Sequence, residues 1–181
     1  GTWQALGGMT YAGVRPDHPA MQRALAWVKS VQNPDGGFGE SANSYLDRSL
    51  MGKGPSTASQ TAWGLACLLY FVGTCPGTIR LDDGAIERAV AWLCDHQLCE
   101  DKAPFEPSRC TGVETFTPGT DELAATDFVH DRAGSWVEHH FTGTGFPKVF
   151  YLRYNMYRHY FPVMSLARYV RVGVQARARG V

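Results

Sequence analysis

"RALAWVKSVQ" at residues 23–32 and "RAVAWLCDHQ" at residues 88–97 align without a gap, residue 23 against residue 88. The two copies share an arginine, two alanines, a tryptophan and a closing glutamine. Each reads as a helix with its loops, and units of this kind cannot bury an apolar face alone, so they stack. The first copy runs into "NPDGGFGES", where Gln32, Gly36 and Phe38 make a Q-x-x-x-G-x-[aromatic] pattern. Such a pattern predicts a helix end, a glycine turn and a ring returned against the helix pair. The second copy closes on Gln97, but 33 residues, 98–130, intervene before "DRAGSW" supplies Gly134 and Trp136. That stretch reads as an inserted, acidic, exposed loop.

Working outward, the rest of the chain is helical in pattern. Met21, Leu25 and Val28 fall at i, i+4 and i+7 behind Asp17, which predicts one amphipathic helix over residues 19–31 with Asp17 as its N-cap. Thr57 and Gln60 have the spacing of a reciprocal capping box, opening a helix through Leu65, Leu68 and Leu69 that is expected to end at Gly73. A further helix starts near Asp83, with Ile86, Val90 and Leu93 on one face and "LDDG" as its start signal. Helices joined by Gly- and Pro-rich loops, with no alternating strand pattern, predict an all-α domain.

The chain has 181 residues, enough for one domain with a sizeable core, and its 17 Lys plus Arg balance 17 Asp plus Glu. That balance excludes a globally basic nucleic-acid binder. Charge is nonetheless uneven. Residues 98–131 hold eight acidic groups against two basic, whereas residues 132–181 hold eight basic groups and one acid, Glu138. The cationic C-terminal part suits an acidic partner domain or a lipid headgroup layer as readily as plain solvation. Five cysteines without framework spacing point to a reducing, intracellular compartment. No run of 18 apolar residues occurs, so contact with a membrane, if any, is peripheral. The opening "GTWQALGGM" has apolar residues at helical spacing and no preceding cap, and reads as continuing a longer chain.

Residues 143–162, "GTGFPKVFYLRYNMYRHYFP", place seven Phe or Tyr among twenty residues. Phe150, Tyr154 and Tyr157 lie at i, i+4 and i+7, which predicts one face of a helix, with Phe146 on the turn before it. Tyr151, Tyr160 and Phe161 fall off that stripe and read as packing. By spacing alone a stripe of this kind is most simply a helix facing an ordinary core.

Four blocks taken in order carry a resemblance. "QNPDGGFGES", "GKGPSTASQTAWGL", "TGTGFPKVFYLRYNMYRHYFP" and "SLARY" make the chain resemble the C-terminal part of squalene–hopene cyclases, within the triterpene cyclases, over nearly its whole length. The "GTGFP" and "FYL" steps lean to the squalene-accepting side of that family rather than the oxidosqualene side. The resemblance implies a portion of an (α/α) toroid, two such domains flanking an apolar cavity in a monotopic membrane protein, with residues 1–181 belonging to the C-terminal one. It implies that the glutamine amide of each repeat binds the end of a neighbouring helix while an aromatic ring stacks on it, here Gln32 with Gly36 and Phe38, and Gln97 with Trp136. Matched position by position, Phe146, Phe150, Leu152, Tyr154 and Tyr157 correspond to residues that line the cavity, and the four rings among them to residues that stabilise cations.

The chemistry explains why such a wall is ring-rich. Cyclising a polyene means protonating it and then carrying positive charge from carbon to carbon through a water-free space. A carboxylate on that path would be alkylated or would take a proton early, whereas a ring face offers negative potential without a nucleophile. Each ring attracts a desolvated cation by about 2 kcal/mol, so two or three contribute on the order of 4 to 6 kcal/mol, about 10³ to 10⁴ in rate. Arg158 beside such cations would oppose the chemistry and is expected to pair behind the wall, with an acid or a helix carboxyl end. The family's protonating Asp-x-Asp-Asp string is absent from the sequence, so the expectation is a cavity wall whose acid lies in an N-terminal toroid domain of the same protein. No organic cofactor or metal is called for.

Two other readings share the repeats. Protein prenyltransferase β subunits carry the D-G-G-F-x-G form and bind zinc, but Cys94, His96 and Cys99 project in different directions on a helix, and residues 143–162 have no counterpart there. A non-catalytic α/α toroid used as a binding module is the other, because a fold does not fix a function.

Overall fold

The computed structural model describes residues 1–72, 79–99, 133–138, 140, 143–146, 150–152 and 154–178, of which 143–146 and 150–152 are described in backbone only. Five α-helices occur among them: α1 (Thr2–Tyr11), α2 (Pro19–Ser30), α3 (Ala58–Leu69), α4 (Gly84–Asp95) and α5 (Tyr157–Ala178). Two short 3₁₀ turns, Ala42–Tyr45 and Arg48–Leu50, connect α2 to α3. Ten of the twelve residues of α3 are buried, so this helix has almost no solvent face and forms the centre on which the others pack. Its longest contact is with α5, and α4, α1 and α2 close around it. The core joins Met21, Leu25 and Val28 of α2, Leu65, Leu68 and Leu69 of α3, and Ile86 and Leu93 of α4, as the 3.6-residue period predicts.

Element ends depart from the sequence expectations in instructive ways. The N-cap of α2 is His18, whose Nδ1 accepts from the Ala20 amide at 3.2 Å, not Asp17. Pro19 suits the first helical position, which places the cap one residue later, and Asp17 is held instead by Arg15 at 2.6 and 3.0 Å. At α3, Thr57 Oγ1 accepts from the Gln60 amide at 3.3 Å, but the return half of the box is missing. Gln60 instead brackets the Glu40 backbone, accepting from its N–H and donating to its carbonyl, while the Thr57 amide donates to the Phe38 carbonyl. The helix also stops at Leu69, short of Gly73, which lies outside the described residues. Val72 pairs in a β-bridge with Ile79, and that pairing draws the chain out of helical geometry. Asp83 does cap α4, accepting from the Ala85 amide at 3.0 Å.

The aromatic block contains the main correction. Residues 143–152 do not form a turn leading into a helix: Gly143–Phe146 (β1) and Phe150–Leu152 (β2) pair as an antiparallel ribbon. Its register sets Gly143 against Leu152, Thr144 against Tyr151 and Phe146 against Phe150, with a bulge between Thr144 and Phe146. Three local facts favour strand over helix. Phe146 precedes Pro147 and is sterically turned from α toward β geometry, two glycines weaken any helix, and the run Phe-Tyr-Leu suits a pleated strand. The helix begins only at Tyr157, whose amide donates to the Tyr154 carbonyl at 2.9 Å. The i, i+4, i+7 stripe through Phe150, Tyr154 and Tyr157 therefore does not exist as a helix face.

The two glutamine turns have closely matching backbones. In the first, Gln32 Nε2 donates to the carbonyls of Gly36 and Ala85 at 2.8 and 2.9 Å, the second of these in the opening turn of α4. Around it the Asn33 amide donates to Gly37 and the Gly36 amide to Asn33, both at 2.9 Å. In the second, Gln97 Nε2 donates to the Gly134 carbonyl at 2.9 Å, the Leu98 amide to Ser135 at 2.9 Å, and the Gly134 amide to Leu98 at 2.7 Å. Gly36 and Gly134 both adopt positive φ, +91° and +83°. Phe38 is buried against α3, and Trp136, buried in turn, donates from Nε1 to the Leu93 carbonyl of α4 at 2.7 Å. The pattern thus closes across the intervening stretch. Residues 100–130 lie outside the described residues.

Candidate active-site cavity

A cavity of about 310 Å³ opens between the first turn of α1 and the facing sides of α2, α3 and α5. The wall from α3 is Gln60, Trp63, Gly64 and Cys67, residues at i, i+3, i+4 and i+7 and so one face of the helix. Beside it stand Tyr157 and Phe161, one turn apart on α5, with Trp3 from α1, Trp27 and Val28 from α2, and Val31 just past the end of α2. Gly64 is needed where it stands: a Cβ there would run into the Phe38 ring.

The rings touch in a chain. Trp63 meets Tyr157 edge-on at 5.7 Å between centroids and Phe161 at 5.2 Å, Tyr157 meets Phe161 at 5.0 Å, and Trp3 closes on Phe161 at 5.3 Å. All four contacts are near-perpendicular, the arrangement in which a positive ring edge meets a negative face. Tyr154 stacks on Tyr157 at 4.6 Å and is 44% exposed. Burial pushes the Tyr157 phenol above its ordinary value, with Tyr160 and Tyr154 adding in the same direction. It is therefore neutral at pH 7, a ring with an alcohol rather than a phenolate nucleophile.

The opposite rim is polar but inwardly committed. Glu40 accepts from Ser44 Oγ and the Gly52 amide, both at 2.8 Å, and Gln60 is held by the Glu40 backbone. Cys67, deep in the α3 wall, has its thiol pushed up to about 12 by burial, so it is no thiolate at neutral pH. Arg158, at the start of α5, is buried and donates from Nη1 to the Trp136 carbonyl at 2.9 Å, behind the wall. That is a main-chain carbonyl of the 133–138 segment rather than a helix end. His96 stacks on Trp92 at 4.0 Å, and among the described residues no three His, Cys, Asp or Glu converge.

A profile of the squalene–hopene cyclase C-terminal domain matches residues 1–117 and 108–171. The chain belongs to the squalene–hopene cyclase family. It is 38% identical over 170 residues to a squalene–hopene cyclase of Zymomonas mobilis, covering 93% of this chain and 20% of that protein. It is also 40% identical over 174 residues to the enfumafungin synthase of Hormonema carpetanum, covering 94% and 11%. To the dammaradiene synthase of Dryopteris crassirhizoma it is 34% identical over 186 residues, covering 97% and 22%. The chain thus spans about a fifth of the length of the squalene–hopene cyclase it matches. Its two matched segments overlap at residues 108–117, inside the acidic stretch. Among the described residues no helix is long and apolar enough to cross a membrane.

Of the residues singled out from the squalene–hopene cyclase blocks, Tyr157 stands in the cavity wall and Tyr154 stacks on it. Phe146 and Phe150 are backbone partners in the ribbon, and Leu152 ends it, while their side chains lie outside the described part. Phe161, read from spacing as packing, is a wall residue, because a helix starting at Tyr157 puts Phe161 rather than Tyr154 one turn along the same face. Trp3 and Trp63 were not singled out at all. For Trp63 the signal was present: Gln60, Trp63, Gly64 and Cys67 form a face of their own within a helix otherwise built from small and aliphatic residues.

Proposed function

We propose that this chain is part of a triterpene cyclase that converts squalene, or a close linear triterpene, to polycyclic products through a proton-initiated carbocation cascade. The observation that carries the reading is the ring cluster of Trp63, Tyr157 and Phe161 in the wall of a cavity of about 310 Å³. Membership of the squalene–hopene cyclase family supplies the substrate class. Within this reading the helices form a portion of an (α/α) toroid, with the Gln32 and Gln97 turns as its repeated ties. Phe146, Phe150, Tyr154 and Tyr157 stabilise cations, and Leu152 shapes the substrate. The protonating acid comes from a part of the protein other than residues 1–181, which contain no Asp-x-Asp-Asp string. Access to an apolar substrate is through peripheral contact with a membrane.

The division of labour follows from electrostatics. A neutral Tyr157 offers its ring face to a passing cation and cannot be alkylated at oxygen as a phenolate would be. The benefit arises only when charge is present, so it acts on transition states rather than on bound squalene. In the full-length protein, replacing Tyr157 with Ala removes about 2 kcal/mol of cation stabilisation and is expected to lower kcat about 30-fold with KM within about twofold. Partly cyclised olefins should accumulate, because a stranded cation loses a proton early. Gas chromatography of the products after incubation with squalene decides it: wild-type turnover and product profile in Tyr157→Ala and Tyr154→Ala would remove these rings from the mechanism.

A further inference from the structure

We infer that Glu138 is a positioning residue for the cavity wall: its buried carboxylate locks the start of α3 to the 136–138 segment and so sets the Trp63 ring against Tyr157 and Phe161. This rests on the cyclase reading above and extends it to a residue outside the cavity.

Glu138 is 5% exposed and is the one acid among residues 132–181. Its Oε2 accepts from the Ser59 amide at 2.8 Å and its Oε1 from the Ser59 hydroxyl at 2.7 Å. A buried carboxylate is costly unless such donors meet it, so the position calls for a reason. Thr57 serves the Gln60 amide from within the local chain, and Glu138 serves the Ser59 amide in the same first turn from far along it. What Glu138 adds is a tie between residues 79 apart in sequence.

The tie sits at a junction of the elements that build the wall. Two residues before it, Trp136 donates to the Leu93 carbonyl of α4 and accepts from Arg158 at the start of α5. One turn beyond Ser59 on α3 stands Trp63, and its neighbour Ala62 accepts from Ser165 of α5 at 2.8 Å. Trp63 therefore directly follows two fixed points on α3, Ser59 and Ala62, and axial sliding of α3 would change its edge-on approach to Tyr157 and Phe161. Contacts at 5.2 and 5.7 Å between centroids are sensitive to shifts of an ångström.

The test uses the full-length protein at equal folded concentration. Glu138→Gln keeps the shape and one acceptor but sets an amide N–H₂ where a carboxylate oxygen stood. Ser59→Ala removes one donor and leaves the amide bond. Expected are a rise of at least threefold in partly cyclised products, a kcat about tenfold lower with KM within twofold for Glu138→Gln, and a smaller change in the same direction for Ser59→Ala. The near-ultraviolet circular dichroism of the rings should change in both, and should not respond to Glu138→Gln when Trp63 is already Phe. Lowered melting temperature with wild-type product ratios and wild-type near-ultraviolet spectrum overturns the inference. If Glu138→Gln does not fold, Ser59→Ala alone decides on the same two readouts. If the wild-type protein leaves squalene unchanged, the cyclase reading fails, and the spectra of the variants still decide the positioning.

Discussion

Gly36 shows how much a single position can carry. Its φ of +91° is costly for any residue with a Cβ, and a Cβ there would meet the Arg88 carbonyl at 2.8 Å and Arg88 Cβ at 2.9 Å. Gly36→Ala should destabilise by about 2 kcal/mol or more, lowering the midpoint of chemical denaturation without changing its slope. Next to it, burial acts to raise the pKa of Asp35, but hydrogen bonds from the Gly37 amide, the Ser56 hydroxyl and the Trp92 indole outweigh that and hold the carboxyl below its ordinary 3.8. A lowered folded value means stability that is present in full above the unfolded value and lost as pH falls through the folded one. Asp35→Asn should therefore be less stable than wild type at pH 7 by about 1 kcal/mol, with the gap closing below pH 3.8. Melting curves at pH 7, 4 and 3 would show it, and a gap constant with pH would refute the ionic origin. Cys67 offers a third check. With its thiol pushed up to about 12 it should resist maleimide at pH 7.5, while exposed Cys94 and Cys99 react, as peptide mapping would report.

Among the elements, α3 and the aromatic block separate what a sequence declares from what only packing decides. The interior of each helix was legible because Met21, Leu25 and Val28, or Ile86 and Leu93, repeat with the helical period, and a buried stripe has no other simple source. The ends were legible only in part, with Thr57 and Asp83 capping as expected, because caps depend on competition: His18 displaced Asp17 once Arg15 had claimed it, and Gln60 preferred the distant Glu40 backbone to Thr57. The same limit governs the cavity wall. An i, i+4, i+7 spacing through residues 150–157 matched a helix, yet the proline after Phe146 and the pairing of Phe-Tyr-Leu made a ribbon, and no local signal announces a partner strand. Tyr157 was found because the family block names it, whereas Phe161 became a wall residue only when the helix start was fixed. Because α5 packs along α3, the Ser165 bond to the Ala62 carbonyl matters as a spacer. Ser165→Ala should cost about 1 kcal/mol, whereas Ser165→Val, which forces bulk into the same contact, should cost 1 to 3 kcal/mol and disturb the ring spectrum.

For the molecule as a whole, the correspondence between the two glutamine turns makes a strong test of the repeat. The first joins Asn33 to Gly36 through Pro34 and Asp35 alone, while the second reaches Gly134 from Leu98 only after 35 intervening residues, 99–133. Yet Leu98 and Gly134 stand in the same bonded relation as Asn33 and Gly36, with the Gly134 amide donating to the Leu98 carbonyl at 2.7 Å against 2.9 Å for the first pair. The ends of the long stretch are thus already set for a two-residue connection. Replacing residues 99–133 by a Pro-Asp dipeptide should leave the helical circular dichroism of the remainder intact. For a loop with no contacts of its own, the shorter closure should raise stability by about 2.5 kcal/mol. An unfolded or aggregated product would mean that residues within 99–133 supply packing that the helices need, and the second turn would then not be a simple copy of the first interrupted by an insert. On the proposed cyclase reading, the same replacement in the full-length protein, if folded and still turning over squalene, would place the acidic stretch outside the chemistry. If it folds but loses turnover, with Trp136 still bonded to Leu93, the same reading would give that stretch a part in substrate handling beyond the one proposed for the rings of α3 and α5.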